Sequence, residues 1–308
     1  MGIGRSFFLR ASRSRKLREM LPRYGFIRRS VARFMPGESV GDALNAAKTL
    51  GSQGIPAVVT HLGENVTEER ETRDVTDHYL NVLDQIQDSS LDTHISVKLT
   101  ELGLDLNQNL CYTNLQLLLQ KAKALGNSVW IDMEGSNYTD ATLQLYQRAL
   151  SEFQNTGLCL QSYLYRTADD LAKLLPLSPT IRLVKGAYAE PPQIAFPKKR
   201  DNDENYFELA RKLLQHSSSG STRAAFATHD GKLIHRIAHE AETLGIGKDA
   251  YEIQMLFGIR SRDQLRLAKE GFCVRVLISY GSYWFPWYMR RLAERPANVL
   301  FVLRNLLQ

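Results

Sequence analysis

Short apolar runs recur along the chain at residues 55–61, 94–100, 128–134, 157–164, 181–188, 224–229, 251–257 and 274–279. Most are apolar nearly throughout instead of alternating, which is the pattern of parallel strands covered on both faces. Between them, apolar positions return at helical spacing. Leu115, Leu118, Leu119, Ala122 and Leu125 form one stripe, with Gly126 as a stop signal. Asp230 can cap a helix carrying Leu233, Ile237, Ala241 and Leu244, which stops at Gly245. Thr139 or Asp140 can open a helix through Leu143, Tyr146 and Leu150, and 66–87 supports a longer one. Eight strand–helix units in ~250 residues match the size of a (β/α)8 barrel. An open doubly wound sheet would also alternate, but no GxGxxG follows any strand. We therefore expect a single (β/α)8 barrel over 51–308, preceded by a helical arm over 1–50.

Charge changes the picture of that arm. The chain of 308 residues carries a formal +6. Residues 1–36 hold ten Lys/Arg against one acid, Glu19, so the arm carries +9 and the remainder −3. A nucleic-acid-binding barrel is not expected from that balance. The arm reads as short basic helices that pack on the barrel or lie near acidic lipid. Its Arg/Ser richness also fits a transit peptide, and MGxxxS at its start a myristoylation pattern. No apolar run approaches the ~18 residues needed to span a bilayer. Cys111, Cys159 and Cys273 are too far apart for a zinc knuckle or a disulfide scaffold, so no metal is expected and a reducing compartment fits.

In such a barrel the active site lies at the C-terminal ends of the strands. Unusual polar residues collect at that end of the apolar runs: Lys98, then Asp132 and Glu134, then Gln161, Tyr163 and Arg166. Arg182, Lys185 and Tyr188 follow around Gly186, then Thr228, His229 and Asp230, then Glu252 and Gln254. After the eighth strand come Arg290 and Arg291, in an aromatic segment with Glu294 one helical turn away. A braced pair of guanidinium forks suits a carboxylate. Buried charges are costly unless paired or used, so their agreement on one end points to a site, and the excess of cations points to an anionic ligand. Lys98 could equally pair with Asp132 as a structural couple, or serve as a Schiff-base nucleophile.

The segments SVKLTELGLDL, DMEGSNYTDATL, LQSYLYRT, RLVKGAY, FATHD, YEIQMLFGIR and YMRRLAERPANV together resemble the flavin-dependent proline dehydrogenases, in their compact bacterial form. The resemblance implies a (β/α)8 barrel with FAD that oxidises L-proline to 1-pyrroline-5-carboxylate and passes electrons to a membrane quinone. By position it implies that Arg290 and Arg291 bind the substrate carboxylate, held by Glu294, with Lys98 reaching it too. It implies that Asp132 pairs with Lys98 and that Arg182 lies beside flavin N5. Tyr188 and Leu256 would wall the substrate ring. Met133, Gln161, Val184, Lys185, Gly186, Ala187, Thr228 and His229 would contact FAD. One position departs from the family pattern: Leu277 stands where a tyrosine over the proline ring is expected, and Ser279 where a proline is expected. A 4-hydroxyproline dehydrogenase is therefore an alternative, and a non-catalytic flavin- or proline-binding barrel a second. The resemblance also implies a bacterial cytoplasmic enzyme, peripheral at the inner membrane face.

Overall fold

All eight apolar runs become strands, and every neighbouring pair is parallel. They are β1 (Ala57–His61), β2 (Thr93–Val97), β3 (Val129–Ile131), β4 (Thr156–Gln161), β5 (Thr180–Val184), β6 (Arg223–Ala227), β7 (Tyr251–Leu256) and β8 (Cys273–Tyr280). In this computed structural model they close into a barrel in chain order, with β8 returning to β1 in the register Ala57↔Val276 to His61↔Tyr280. The structure describes residues 31–63, 66–217, 223–285 and 287–289.

Helix α1 (Val40–Gly51) precedes the barrel. Helices α2 (Glu69–Asp88), α3 (Gln108–Ala124), α4 (Thr139–Glu152), α5 (Thr167–Leu174), α6 (Lys199–Ser217), α7 (Gly231–Thr243) and α8 (Ser261–Lys269) follow β1 to β7 in turn. Short polar side chains start several of them. Ser39 and Asp42 form a capping box on α1, Asn107 accepts from the amides of Asn109 and Leu110, and Asp230 accepts from the Lys232 amide. Such a cap is worth about 1 kcal/mol. The expected division at 50/51 passes through the end of α1, whose Ala43, Leu44, Ala47 and Leu50 share the main barrel core. Residues 1–30 of the arm lie outside the described residues.

Strand alternation sorts the barrel into two faces. Val59, Ile95, Val97, Ile131, Leu158, Ile181, Leu183, Phe226, Ile253, Val276 and Ile278 point outward into the core beneath the helices. The inward set has only a small apolar cluster, Val58, Trp130 and Ala225, with Leu277 packed against it. Gly157 makes room there: a Cβ would lie 2.4 Å from the Trp130 ring. Much of the remaining interior is polar yet buried, including Ser96, Arg182, Glu252, Gln254, Arg275 and Ser279.

Four strands end three or four residues before their apolar runs do. β2 stops at Val97, β3 at Ile131, β4 at Gln161 and β5 at Val184, so Lys98, Asp132 to Glu134, and Lys185 to Tyr188 belong to the loops above the rim. Buried loop residues such as Leu99, Met133 and Tyr163 prolong the apolar signal past the strand ends. After β8, Trp284, Phe285, Trp287, Tyr288 and Met289 pack against Val31, Phe34, Met35 and Leu62.

Candidate active site

Two ionic groups stand at the C-terminal rim. In the first, Lys98 just beyond β2 donates from Nζ to Glu101 Oε1 at 2.8 Å and to the His61 carbonyl at 3.3 Å. Glu101 Oε1 also accepts the Gly63 amide at 3.1 Å, which ties the β1–α2 loop to this pair. In the second, Arg182 on β5 donates from Nη2 to Asp132 and to Ser96 Oγ, the latter at 2.8 Å. Ser96 Oγ in turn donates to Asp132 Oδ1 at 3.0 Å. The expected Lys98–Asp132 pairing is thus corrected. Lys98 bonds Glu101, three residues on in the same turn, and Asp132 faces across the barrel to Arg182.

Electrostatics follow from this division. Burial alone would lower the Lys98 ammonium, but Glu101, Asp132 and Glu134 outweigh it and hold it above the ordinary lysine range. Burial pushes the Glu101 carboxyl up to about 7, against the pull of Lys98. The neighbouring His61 is pushed down to about 4, first by burial and then by His78 and Lys98. It stays neutral beside His78, whose Nε2 lies 2.7 Å from the Tyr280 hydroxyl.

The loops supply a second row around the mouth. Gln161 at the end of β4 donates from Nε2 to the carbonyls of Met133 and Glu134, at 3.1 and 3.2 Å. Its Oε1 is buried without a partner. Gly186 takes φ +102°, and a Cβ there would lie 2.2 Å from the Tyr163 ring, so only glycine lets this loop fold against Tyr163. Lys185 reaches Asp203 at 2.6 Å and Asp230 at 3.4 Å. His229 Nε2 accepts the Leu256 amide at 2.9 Å, joining the ends of β6 and β7, and Thr228 Oγ1 accepts the Asp230 amide at 3.1 Å. Val184, Ala187, Tyr188, Leu256 and Leu277 are half-buried, as expected of residues around an opening. Arg290, Arg291 and Glu294 lie outside the described residues. Among the described residues no cluster of His, Cys, Asp and Glu is placed to hold a metal ion.

The profile of the proline dehydrogenase family matches residues 43–304. The chain belongs to the proline dehydrogenase family. Proline dehydrogenase 2 of Bacillus subtilis subsp. natto is 39% identical over 306 residues, covering 99% of each chain. Proline dehydrogenase of Deinococcus radiodurans is 37% identical over 281 residues, 90% of this chain and 89% of that one. Among solved structures, proline utilization A from Bdellovibrio bacteriovorus, inactivated by N-propargylglycine, aligns with a TM-score of 0.80 at 23% identity. That alignment covers 87% of this chain and 32% of the other, so the chain spans about a third of that protein, and it speaks to the fold.

Some rim residues of this proline dehydrogenase-family barrel differ from their sequence reading. Arg166 faces away into an ion-pair group with Asp140 and Asp170, each at 2.6 Å. Glu134 clamps the β2–α3 loop by accepting the Thr100 amide at 3.1 Å and its hydroxyl at 2.6 Å. Glu252 sits at the other end of β7, where it accepts from Arg275 at 3.0 Å. Glu101, Ser96 and His61 escaped the sequence reading. Of these, Glu101 had a readable signal, a carboxylate three residues after a strand-end lysine.

Proposed function

We propose that the chain oxidises L-proline to 1-pyrroline-5-carboxylate with bound FAD, at the barrel rim between Lys98 and Arg182. The observation that carries this reading is the separation of two charge groups at one mouth. Lys98–Glu101 lies on the β1–β2 side and Arg182–Asp132–Ser96 crosses the barrel, so a carboxylate and an electron-accepting ring each have a cation. The residues suit FAD. Gln161 has both amide hydrogens committed to carbonyls and a buried oxygen left to accept, which an imide N–H of a flavin would satisfy. Bound FAD would supply the hydride acceptor.

Each residue then has a part in this proposal. Arg290, Arg291 and Lys98 hold the substrate carboxylate, with Glu294 steadying the arginines. Tyr188, Leu256 and Leu277 flank its ring. Asp132 and Arg182 orient the reacting centre, and Arg182 lends its charge to the flavin. Met133, Gln161, Val184, Lys185, Gly186, Ala187, Thr228 and His229 hold the cofactor. The amine must shed its proton before hydride leaves, so the rate rises with pH. A substrate ring bearing a 4-hydroxyl is the second reading; it is raised by Leu277 in place of the expected tyrosine, and the family matches do not favour it.

Electrons pass from the flavin to a membrane quinone in this reading. Among the described residues no helix is long and apolar enough to cross a membrane. Peripheral contact at the cytoplasmic face, through the +9 arm, would bring the barrel to the bilayer. Deleting residues 1–36 should weaken binding to acidic liposomes and spare turnover with a soluble dye. Unchanged liposome binding would remove the docking role. The primary test is the anaerobic visible spectrum of purified protein. Bands near ~450 nm should bleach on adding L-proline. Bleaching by trans-4-hydroxyproline alone would establish the second reading. A protein that takes up no flavin after FAD supplementation would end both.

A further inference from the structure

We propose that Gln254, held by Glu252, positions Arg182, and that this pair keeps the Arg182 charge available to the flavin from beneath. The inference rests on Arg182 facing the flavin, as proposed above.

Barrel interiors are commonly packed by bulky branched side chains. Here a column of buried polar groups runs from the rim to the opposite mouth. Arg182 Nη2 is taken by Asp132 and Ser96, while Nη1 points to Gln254 Oε1 at 3.4 Å. The Gln254 amide has a defined orientation, because its Nε2 donates to Glu252 Oε2 at 2.8 Å and leaves the oxygen toward Arg182. The other Glu252 oxygen accepts from Arg275 Nε at 3.0 Å. Arg275 then donates from Nη1 to the Ala57 carbonyl at 3.1 Å and to Asp92 at 2.9 Å. All four side chains from Arg182 to Arg275 are less than a tenth exposed.

The order of charges matters. Glu252 is matched by Arg275, and a neutral amide stands between Glu252 and Arg182. A second carboxylate under Arg182, added to Asp132, would steady it equally well but would quench more of the field it presents above. Gln254 gives the guanidinium a third fixed partner, after Asp132 and Ser96, without that loss. Trp130 adds a neutral face, with the Arg182 guanidinium carbon 5.0 Å from its ring centroid. The charged and titratable groups along this column are Asp132 beyond β3 and Cys159 on β4 beside Arg182, and His94 on β2 with Arg275 and Cys273 on β8 beside Glu252.

The test compares wild-type holoenzyme with Gln254→Glu and Gln254→Met. The readouts are the midpoint potential of bound FAD, the rate of anaerobic flavin reduction by L-proline, KM and thermal stability. Gln254→Glu should retain FAD, shift the potential to more negative values and slow reduction roughly a hundredfold, as for loss of one preorganised charge contact. KM should change by less than about twofold, because Lys98 and its anion site are untouched. Gln254→Met keeps the volume and removes the acceptor, so reduction should slow by less than roughly tenfold with a smaller shift of potential. If both variants match the wild-type potential, the residues are structural only and the proposal is overturned, whatever happens to stability. If Gln254→Glu does not fold, an unchanged potential in Gln254→Met decides against it alone. Wild-type protein that binds no FAD, or is not bleached by proline, would instead overturn the reading of the site.

Discussion

Replacing Glu101 with glutamine should leave the protein no less stable at pH 8, although it removes half of a buried ion pair. Glu101 is wholly buried. It accepts from Lys98 and from the Gly63 amide through Oε1, and Oε2 has no partner. Burial raises its carboxyl from 4.5 to about 7. A carboxyl raised in this way binds more protons in the folded state than in the unfolded state between those two values. Its contribution to stability is therefore highest below pH 4.5, falls as pH rises, and is lowest above pH 7. At about 1.4 kcal/mol per pH unit, the wild type loses about 3 kcal/mol across that window. Lys98 is held above the ordinary lysine range, so it keeps its proton throughout and adds no slope.

Glutamine removes the titration and keeps an oxygen that can accept from Lys98 and Gly63. Breaking a buried pair typically costs about 3–5 kcal/mol because a charge is stranded. Here Asp132 and Glu134 still act on Lys98, so that figure does not apply. The assay is urea unfolding of wild type and Glu101→Gln at pH 5 and pH 8, with FAD at one fixed concentration because bound ligand adds stability. Taking the difference between the proteins at each pH cancels the titrations they share. That difference should move in favour of the variant by about 2–3 kcal/mol from pH 5 to pH 8. A variant destabilised by about 3–5 kcal/mol at pH 8 would refute the reasoning, since the ionised pair would then outweigh its own desolvation.

Three further outcomes are expected. His94 lines a cavity of about 110 Å3 at the N-terminal mouth, and burial, with help from Arg275, pushes it down to about 4. Its stability contribution is whole above 6.5 and is lost as pH falls toward 4, so His94→Gln should remove about 3 kcal/mol of acid destabilisation; equal losses in both proteins from pH 7 to pH 4.5 would count against this. Arg275→Met strands the buried Glu252 carboxylate and should cost about 3–5 kcal/mol in urea unfolding, whereas a loss under about 1 kcal/mol would mean that Glu252 is satisfied elsewhere. Leu277→Tyr fills half-buried space beside Val58, Trp130 and Ala225 and should change the ratio of kcat/KM for proline and trans-4-hydroxyproline by about tenfold; an unchanged ratio would remove Leu277 as a selector.

The strands were legible because a parallel barrel demands outward-facing residues that are apolar for the helices and an interior that excludes water, so each strand reads as a near-continuous apolar run. Their ends were not legible. Leu99, Thr100, Glu134, Ser162 and Tyr163 are buried past the strand ends, and burial leaves the same hydropathy trace whether or not a strand continues. Lys98, Asp132 and Arg182 stood out because a charge within an apolar run is expensive unless it has a partner. The partners were harder to read. Glu101 left one signal, a carboxylate three residues after Lys98, whereas nothing along the chain pairs Asp132 with Arg182 two strands on.

Glu252 shows why the last step needs three dimensions. Strand alternation places Glu252, Gln254 and Leu256 on one inward face, and chain direction puts Leu256 nearest the rim, but neither says what each of them bonds. The fold puts Leu256 at the mouth, Glu252 near the floor and Gln254 between them as a neutral link to Arg182. An interior built this way gives up apolar packing, and the outward-facing core and its helices must carry the stability instead. What the barrel gains is a cation held at the rim by Asp132 and Ser96, whose nearest carboxylate below is already matched by Arg275, which is the arrangement the proposed role of Arg182 requires.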